Sequence, residues 1–264
     1  MNTLLEINGL YGGYERGVNI LQGIDLSVVE GEALGIIGLN GSGKSTLGKA
    51  VMNLLPYRSG HITFDGQDIT GRTSNELSRL GIAIMHQGGT VFPNLSVLEN
   101  IQLAIGNTRL SDFASRYSDI IPLLKKSRRE LSNTMADKLS GGQRHELALA
   151  MTLSHRPRLL ILDEPSAGLS PKAVEEMYTM LNKIRDLFGT TIMLIEQNIA
   201  RAVEFCCTNT LHTITNGQDG EPVVLSRQKP PGRCVMLSQG NIGYDSKEDN
   251  ELNISKIESL MFKN

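Results

Sequence analysis

The sequence predicts an α/β fold built on a largely parallel sheet flanked by helices. Short apolar runs of strand length, such as LLILD at 159–163 and TIMLIE at 191–196, alternate with stretches of helical length and spacing. These runs are apolar throughout rather than alternating, as strands covered on both faces are. A chain of 264 residues, 40% hydrophobic and 20% charged, has ample core for such a fold.

The first elements read as strands and turns. LLEINGL at 4–10 and VNILQGIDLSVV at 18–29 carry β-type alternation broken by glycine. EALGIIG at 32–38 is a short apolar strand that runs straight into GLNGSGKST, and STLGKAVMNLL at 45–55 keeps helical spacing until Pro56 stops it. HITFDGQDI at 61–69 puts Ile62 and Phe64 on one side and turns at Asp65-Gly66, a hairpin signal. IAIMHQ is a further strand, ending at Gln87. From Gly88 to about Lys138 the texture becomes polar and helical, with Pro93 and Pro122 as breaks and KKSRR at 125–129 as a solvated face. A helix follows LSGGQ and runs to His155 before Pro157. LLILDEP then reads as a strand, KAVEEMYTMLNKIRDL as a helix with Val174, Met177, Leu181 and Ile184 on its apolar face, and TIMLIEQ as a strand. Residues 225–264 are Pro/Gly-punctuated and then acidic, and only ISKIESLMF has helical spacing. They are expected to form a weakly ordered tail or small appendage on a domain spanning 1–224.

Composition excludes several classes. A net charge of −2 gives no electrostatic footprint for nucleic acid, so no such partner is expected. The three cysteines, Cys206, Cys207 and Cys234, lack C-x-x-C spacing and point to a reducing compartment, with the adjacent pair filling a helix face. MNTLLEINGLYGGY has no basic region followed by a long apolar run, and no stretch reaches bilayer-spanning length. Any membrane role is therefore expected to be peripheral.

Three motifs carry chemistry. GLNGSGKST at 38–46 fits G-x-x-x-x-G-K-[ST] between a strand and a helix, the context that confirms a phosphate loop. Glycines at 38, 41 and 43, with Asn40, Ser42 and Thr46 between and after them, let the loop wrap so that backbone N–H groups point at phosphate oxygens. Lys44 reaches the β and γ phosphates, and Ser45 offers a hydroxyl to Mg²⁺. LLILDE ends a buried strand in two carboxylates: Asp163 suits Mg²⁺, and Glu164 suits polarising an attacking water. Ser140, Gly141, Gly142 and Gln143 open a second helix whose start can also meet an anion.

Gly38–Thr46, Gln87, Leu139–Gln143, Leu159–Glu164 and Ser166–Ser170 occur in the order and approximate spacing of an ATP-binding cassette (ABC) ATPase, which the chain resembles over about residues 4–224. The resemblance implies a P-loop NTPase with an ABC ATPase core, an N-terminal antiparallel β region and a helical subdomain inserted at about 88–150. It implies ATP and Mg²⁺ as cofactors and a head-to-tail dimer, homo- or heterodimeric, in which Ser140–Gln143 of one chain close over ATP held by the other. It also implies that Tyr14 stacks on adenine (Tyr11 is its rival) and that Gln87 contacts Mg²⁺. Gln197 stands where a γ-phosphate-contacting histidine is usual, and Ser170 replaces the usual Asp.

GQDIT, RLGIA, VFPNLSVLEN and MLIEQN resemble the ATP-binding subunits of branched-chain amino-acid importers and their urea and amide relatives. Gln87 where those often carry Glu, and HQGGT where a basic stretch is common, depart from them. The expected function is ATP hydrolysis that powers uptake through a separate transmembrane permease, at the cytoplasmic, inner face of the cell membrane. The alternatives are a non-transport ABC ATPase, or an ATP-binding partner with a weakly active site paired to another ATPase chain.

Overall fold

In the computed structural model, which describes residues 2–207, 210–216, 222–228, 232–247 and 259, two larger sheets share the core. β1 (Thr3–Gly13), β2 (Leu21–Val29), β4 (Tyr57–Phe64) and β5 (Gln67–Asp68) form an antiparallel sheet in the order β2-β1-β4-β5. Asp65 and Gly66 turn between β4 and β5 with φ of +51° and +73°, the doubly left-handed turn that Asp-Gly supplies to a hairpin.

The second sheet has the order β12-β11-β3-β8-β7-β6. It contains β3 (Ala33–Ile37), β6 (Ile82–Met85), β7 (Leu159–Asp163), β8 (Thr191–Glu196), β11 (Arg233–Ser238) and β12 (Asn241–Asp245). All neighbours are parallel except the β11–β12 pair. Every residue of β3, β7 and β8 is buried, which is why their sequences do not alternate. Alternate residues instead feed two cores. Leu34, Ile36, Leu159, Ile161, Met193 and Ile195 face the antiparallel sheet and α1 (Lys44–Val51). Ile37, Leu160, Leu162, Ile192 and Leu194 face the opposite helical layer.

That layer holds α6 (Gly141–Thr152), α7 (Pro171–Phe188) and α8 (Ile199–Cys207), together with α3 (Val97–Ile105), α4 (Leu110–Tyr117) and α5 (Arg128–Asn133) from the segment between β6 and β7. α2 (Ser74–Leu80) buries Leu77 in the other core. Thr73–Glu76, Ser96–Glu99, Ser127–Glu130 and Ser140–Gln143 form capping boxes, which start α2, α3, α5 and α6 at those serines and threonine. β6 stops at Met85 rather than Gln87, because the chain leaves the sheet through Gly88 and Gly89, both at positive φ. α6 ends at Thr152 and tightens into a 3-10 turn over Leu153–His155.

The tail expected from residue 225 is corrected over residues 233–245. β11 lies beside β3 with Cys234 opposite Gly35, and β12 forms the sheet's edge. Arg233 grips Asp245 with two nitrogens and donates to the Ser27 carbonyl at 2.7 Å, tying this strand pair to β2. CVML is a short apolar run between Pro-Pro-Gly and a Gln-Gly turn, so locally the breakers dominate; burial beside β3 decides its conformation. β9 (Thr210–Asn216) and β10 (Pro222–Gln228) form a separate antiparallel hairpin that spans the expected boundary at 224. The helix expected at 254–262 lies, except for residue 259, outside the described residues. Cys206 and Cys234 are buried thiols packed on Gly35, where an added Cβ would meet their sulfurs at 3.1 and 2.9 Å; the side chain of Cys207 lies outside the described residues.

Candidate functional site

β3 delivers the chain to Gly38, where a loop wraps into α1. A Cβ on Gly38 would lie 2.5 Å from the Leu237 carbonyl oxygen and 2.6 Å from Ser42 Oγ, so a side chain has no room. Gly43 precedes the helix with φ +102° and offers no side-chain cap. The first N–H groups of α1 therefore stay open, unlike those of the boxed helices, and form a positive, donor-lined cradle suited to phosphate. Asn40 and Gly41 are exposed at the loop tip, while Ser42 and Thr46 are buried.

Lys44, 4% exposed, folds back beneath this loop and donates to the carbonyls of Gly38 at 2.8 Å and Leu39 at 3.0 Å. Burial lowers its pKa, opposed by the charges of Glu164, Asp163 and Glu196. The turn between β11 and β12 buttresses the loop from outside, with the Gly240 N–H donating to the Ser42 carbonyl at 3.1 Å. Motif spacing gave no sign of that support, because it comes from the segment that reads as a tail.

β7 presents the two carboxylates. Ser45 Oγ donates to Asp163 Oδ1 at 2.7 Å, so α1 and β7 place two hard oxygens side by side. Glu164 follows at φ +46°, a left-handed conformation that costs a residue with a Cβ about 1–2 kcal/mol. Its N–H is held by the Ile195 carbonyl at 2.9 Å. Gln87 reaches across and donates from Nε2 to Glu164 Oε2 at 3.1 Å. Four of the expected site residues, Ser45, Gln87, Asp163 and Glu164, thus meet beside the cradle. The hydroxyl, the carboxylate and the remaining amide oxygen of Gln87 are the all-oxygen donor set that suits Mg²⁺.

The other expected residues sit further out. Ser140 and Gln143 spend their side chains on each other, Oγ accepting the Gln143 N–H at 3.3 Å and Oε1 accepting the Ser140 N–H at 3.2 Å. Cβ atoms added at Gly141 and Gly142 would meet Leu169 and Ala173 at 3.8 and 3.4 Å, so this turn rests on the Ser166–Ser170 loop and the start of α7. Ser140 and Gly141 are exposed. Ser170 caps α7, accepting the Ala173 N–H at 3.4 Å with Pro171 at the first helical position. A serine there does the helix-capping work of an aspartate.

Tyr11 and Tyr14 are equally exposed: Tyr11 lies against Gly23 of β2, and Tyr14 stands beside α1 with its hydroxyl accepting from Lys49 at 3.2 Å. The Lys49 ammonium also lies over the Tyr14 ring, 5.4 Å from its centroid. Gln197 is exposed one residue past the Ile37–Glu196 strand pairing, level with the start of the loop. The sequence reading missed Glu196 and Tyr178, which are buried together with Tyr178 Oη donating to Glu196 Oε1 at 3.1 Å. A glutamate closing an otherwise apolar strand was the available signal.

Among the described residues no helix is long and apolar enough to cross a membrane. Residues 21–167 match the ABC transporter family, more than half of the chain. The probable branched-chain amino acid transport ATP-binding protein LivF of Archaeoglobus fulgidus is 36% identical over 204 residues, covering 76% of this chain and 84% of that protein. The high-affinity branched-chain amino acid transport ATP-binding protein BraG of Pseudomonas aeruginosa is 31% identical over 205 residues, covering 78% and 86%. Other relatives of similar identity bear other cargoes in their names, xylose and lipopolysaccharide among them. A dimeric ATP-binding cassette bound to ADP and phosphate in a post-hydrolysis state has the same fold, with a TM-score of 0.70 at 21% identity over 92% of this chain and 97% of that one. The chain belongs to the ABC transporter family, as one of its ATP-binding, ATP-hydrolysing subunits.

Proposed function

We propose that this chain is the ATPase of an importer, docked peripherally on a membrane permease at the inner face of the cell membrane. In this reading it works as a head-to-tail dimer, each ATP lying between the phosphate loop of one chain and the Ser140–Gln143 turn of the other. The observation that supports it best is the open start of α1 with the Ser45–Asp163 and Gln87–Glu164 pairs beside it.

Tyr14 stacks on adenine, and Lys44 with the open N–H groups at the start of α1 holds the β and γ phosphates. Ser45, Gln87 and Asp163 hold Mg²⁺, which when bound neutralises phosphate charge. Gln87 donates to one oxygen of Glu164, leaving the other to accept a proton from the attacking water. As the water oxygen bonds to the γ-phosphorus, the bond to the β–γ bridging oxygen breaks and that oxygen leaves with ADP. Positioning and charge stabilisation supply most of the acceleration.

Gln197 donates an amide hydrogen bond to the γ-phosphate, weaker than a charged donor but real. Gln197→Ala is expected to lower turnover about tenfold, equivalent to about 1.4 kcal/mol of transition-state stabilisation. An unchanged steady-state rate would remove Gln197 from the site. A second reading, supported by the exposure of Gln197, is a slow companion subunit beside a more active chain. Turnover of the purified chain with and without its permease separates the two.

The shared-site arrangement is tested at Ser140. Ser140→Arg puts a bulky cation on the exposed start of α6, so it blocks close approach of a second subunit. Turnover should vanish while ATP binding by the isolated chain, measured by equilibrium dialysis, stays within about twofold of wild type. A comparable loss of ATP affinity would mean that this turn serves its own phosphate loop. The transported substrate is proposed to be a branched-chain amino acid or related amide, on the resemblance of MLIEQN and VFPNLSVLEN and the named relatives. Leucine uptake by vesicles carrying the chain with its permease tests that substrate.

A further inference from the structure

Glu196 ends β8 at 2% exposure, and the hydrogen bonds it accepts come from neutral donors. Oε1 accepts from Tyr178 Oη at 3.1 Å and from the Ser166 N–H at 3.3 Å, and Oε2 accepts from the Gln197 N–H at 3.2 Å. A buried carboxylate satisfied only by neutral donors is expensive to keep, and a neutral side chain of the same size would cost less in a purely structural place. Here its three donors belong to three separate pieces of the site. Ser166 opens the loop that follows Glu164 and leads to Ser170, Gln197 lies at the end of the strand beside the phosphate loop, and Tyr178 anchors the arrangement in α7. The Tyr178 ring packs on Phe205 of α8 with centroids 5.5 Å apart, so the hydroxyl is aimed by packing. Burial, and then the Glu196 charge, raise the Tyr178 pKa, which keeps it a protonated donor. The Glu196 charge also reaches Lys44.

We infer that Glu196 is a positioning residue for ATP hydrolysis: held by Tyr178, it locks the Ser166–Ser170 loop and Gln197 into one register beside the γ-phosphate. The inference rests on the proposed ATPase site and adds to it a link between the hydrolytic end of the site and a loop on which the Ser140–Gln143 turn rests. Three donors converge on two oxygens, so the acceptor-only carboxylate is required. An amide in its place turns an NH₂ towards at least one N–H or hydroxyl hydrogen. ATP binding depends on this lock less than turnover does, because most contacts described for the cradle come from α1 and its loop.

Steady-state kinetics and ATP affinity of Glu196→Gln, Tyr178→Phe and the double variant test this. Tyr178→Phe keeps the core volume and the ring contact, so it remains informative if Glu196→Gln folds poorly. Glu196→Gln should lower kcat about tenfold, the rate equivalent of one lost hydrogen bond to a charged group. Tyr178→Phe should lower kcat about threefold, and both should leave KM and the ATP dissociation constant within about twofold. The double variant should be no slower than Glu196→Gln, because Tyr178 acts through Glu196. An unchanged kcat, losses that multiply in the double variant, or a weakening of ATP binding that matches the loss of kcat would each overturn the assignment. Wild-type turnover and the Glu164→Gln variant test the ATPase site separately, on other residues.

Discussion

Glu164→Gln is expected to lower ATP turnover about a hundredfold or more while ATP binding persists, the range that removal of a general base produces. The substitution keeps the shape and the left-handed backbone, so the Ile195 carbonyl still holds the residue. What it removes is the acceptor proposed to take the proton of the attacking water. Gln87 sharpens the effect: its Nε2 donates to Oε2 at 3.1 Å, and an amide in place of the carboxylate must keep its oxygen there and turn NH₂ towards the water. The water then faces a donor instead of an acceptor. Single-turnover hydrolysis measures this directly, and a wild-type rate would remove Glu164 from the chemistry.

Lys44→Ala is expected to produce the second large effect, on binding and turnover together. The ammonium is the cation nearest the cradle in the motif, and charge-assisted bonds to phosphate are worth about 1.5–3 kcal/mol each. Loss of two such bonds lowers kcat/KM by more than about a hundredfold. Folding should survive, since Lys44 contacts the carbonyls of Gly38 and Leu39 rather than the apolar cores. Circular dichroism matching wild type, with nucleotide affinity lost, is the expected pair of results. Retained affinity would place the phosphates elsewhere.

The candidate site was legible in sequence wherever local chemistry and local structure coincide. GLNGSGKST announces itself because glycine spacing, a preceding apolar strand and a following helix agree. Asp163 and Glu164 were readable as the polar end of an otherwise buried strand. The central strands were legible for the same reason: burial on both faces leaves no polar positions. The contacts that join these motifs were not, because Ser45–Asp163 and Gln87–Glu164 link residues far apart in the chain. β11 was missed because its burial comes from β3, to which it is joined only through the fold, while Pro230, Pro231 and Gly232 dominate its local pattern. Ser170 read as a departure from the family pattern, yet it supplies the α7 cap that the position requires.

The central claim is that Ser140–Gln143 of one chain act on ATP held by another. Sedimentation velocity of Glu164→Gln with ATP and Mg²⁺, run beside Glu164→Gln/Ser140→Arg, tests it most directly. The slow hydrolysis of Glu164→Gln preserves ATP, so the account predicts a dimer that forms only with nucleotide and disappears when Ser140→Arg is added. A Glu164→Gln chain that stays monomeric with ATP bound, or a dimer indifferent to ATP or to Ser140→Arg, would contradict it.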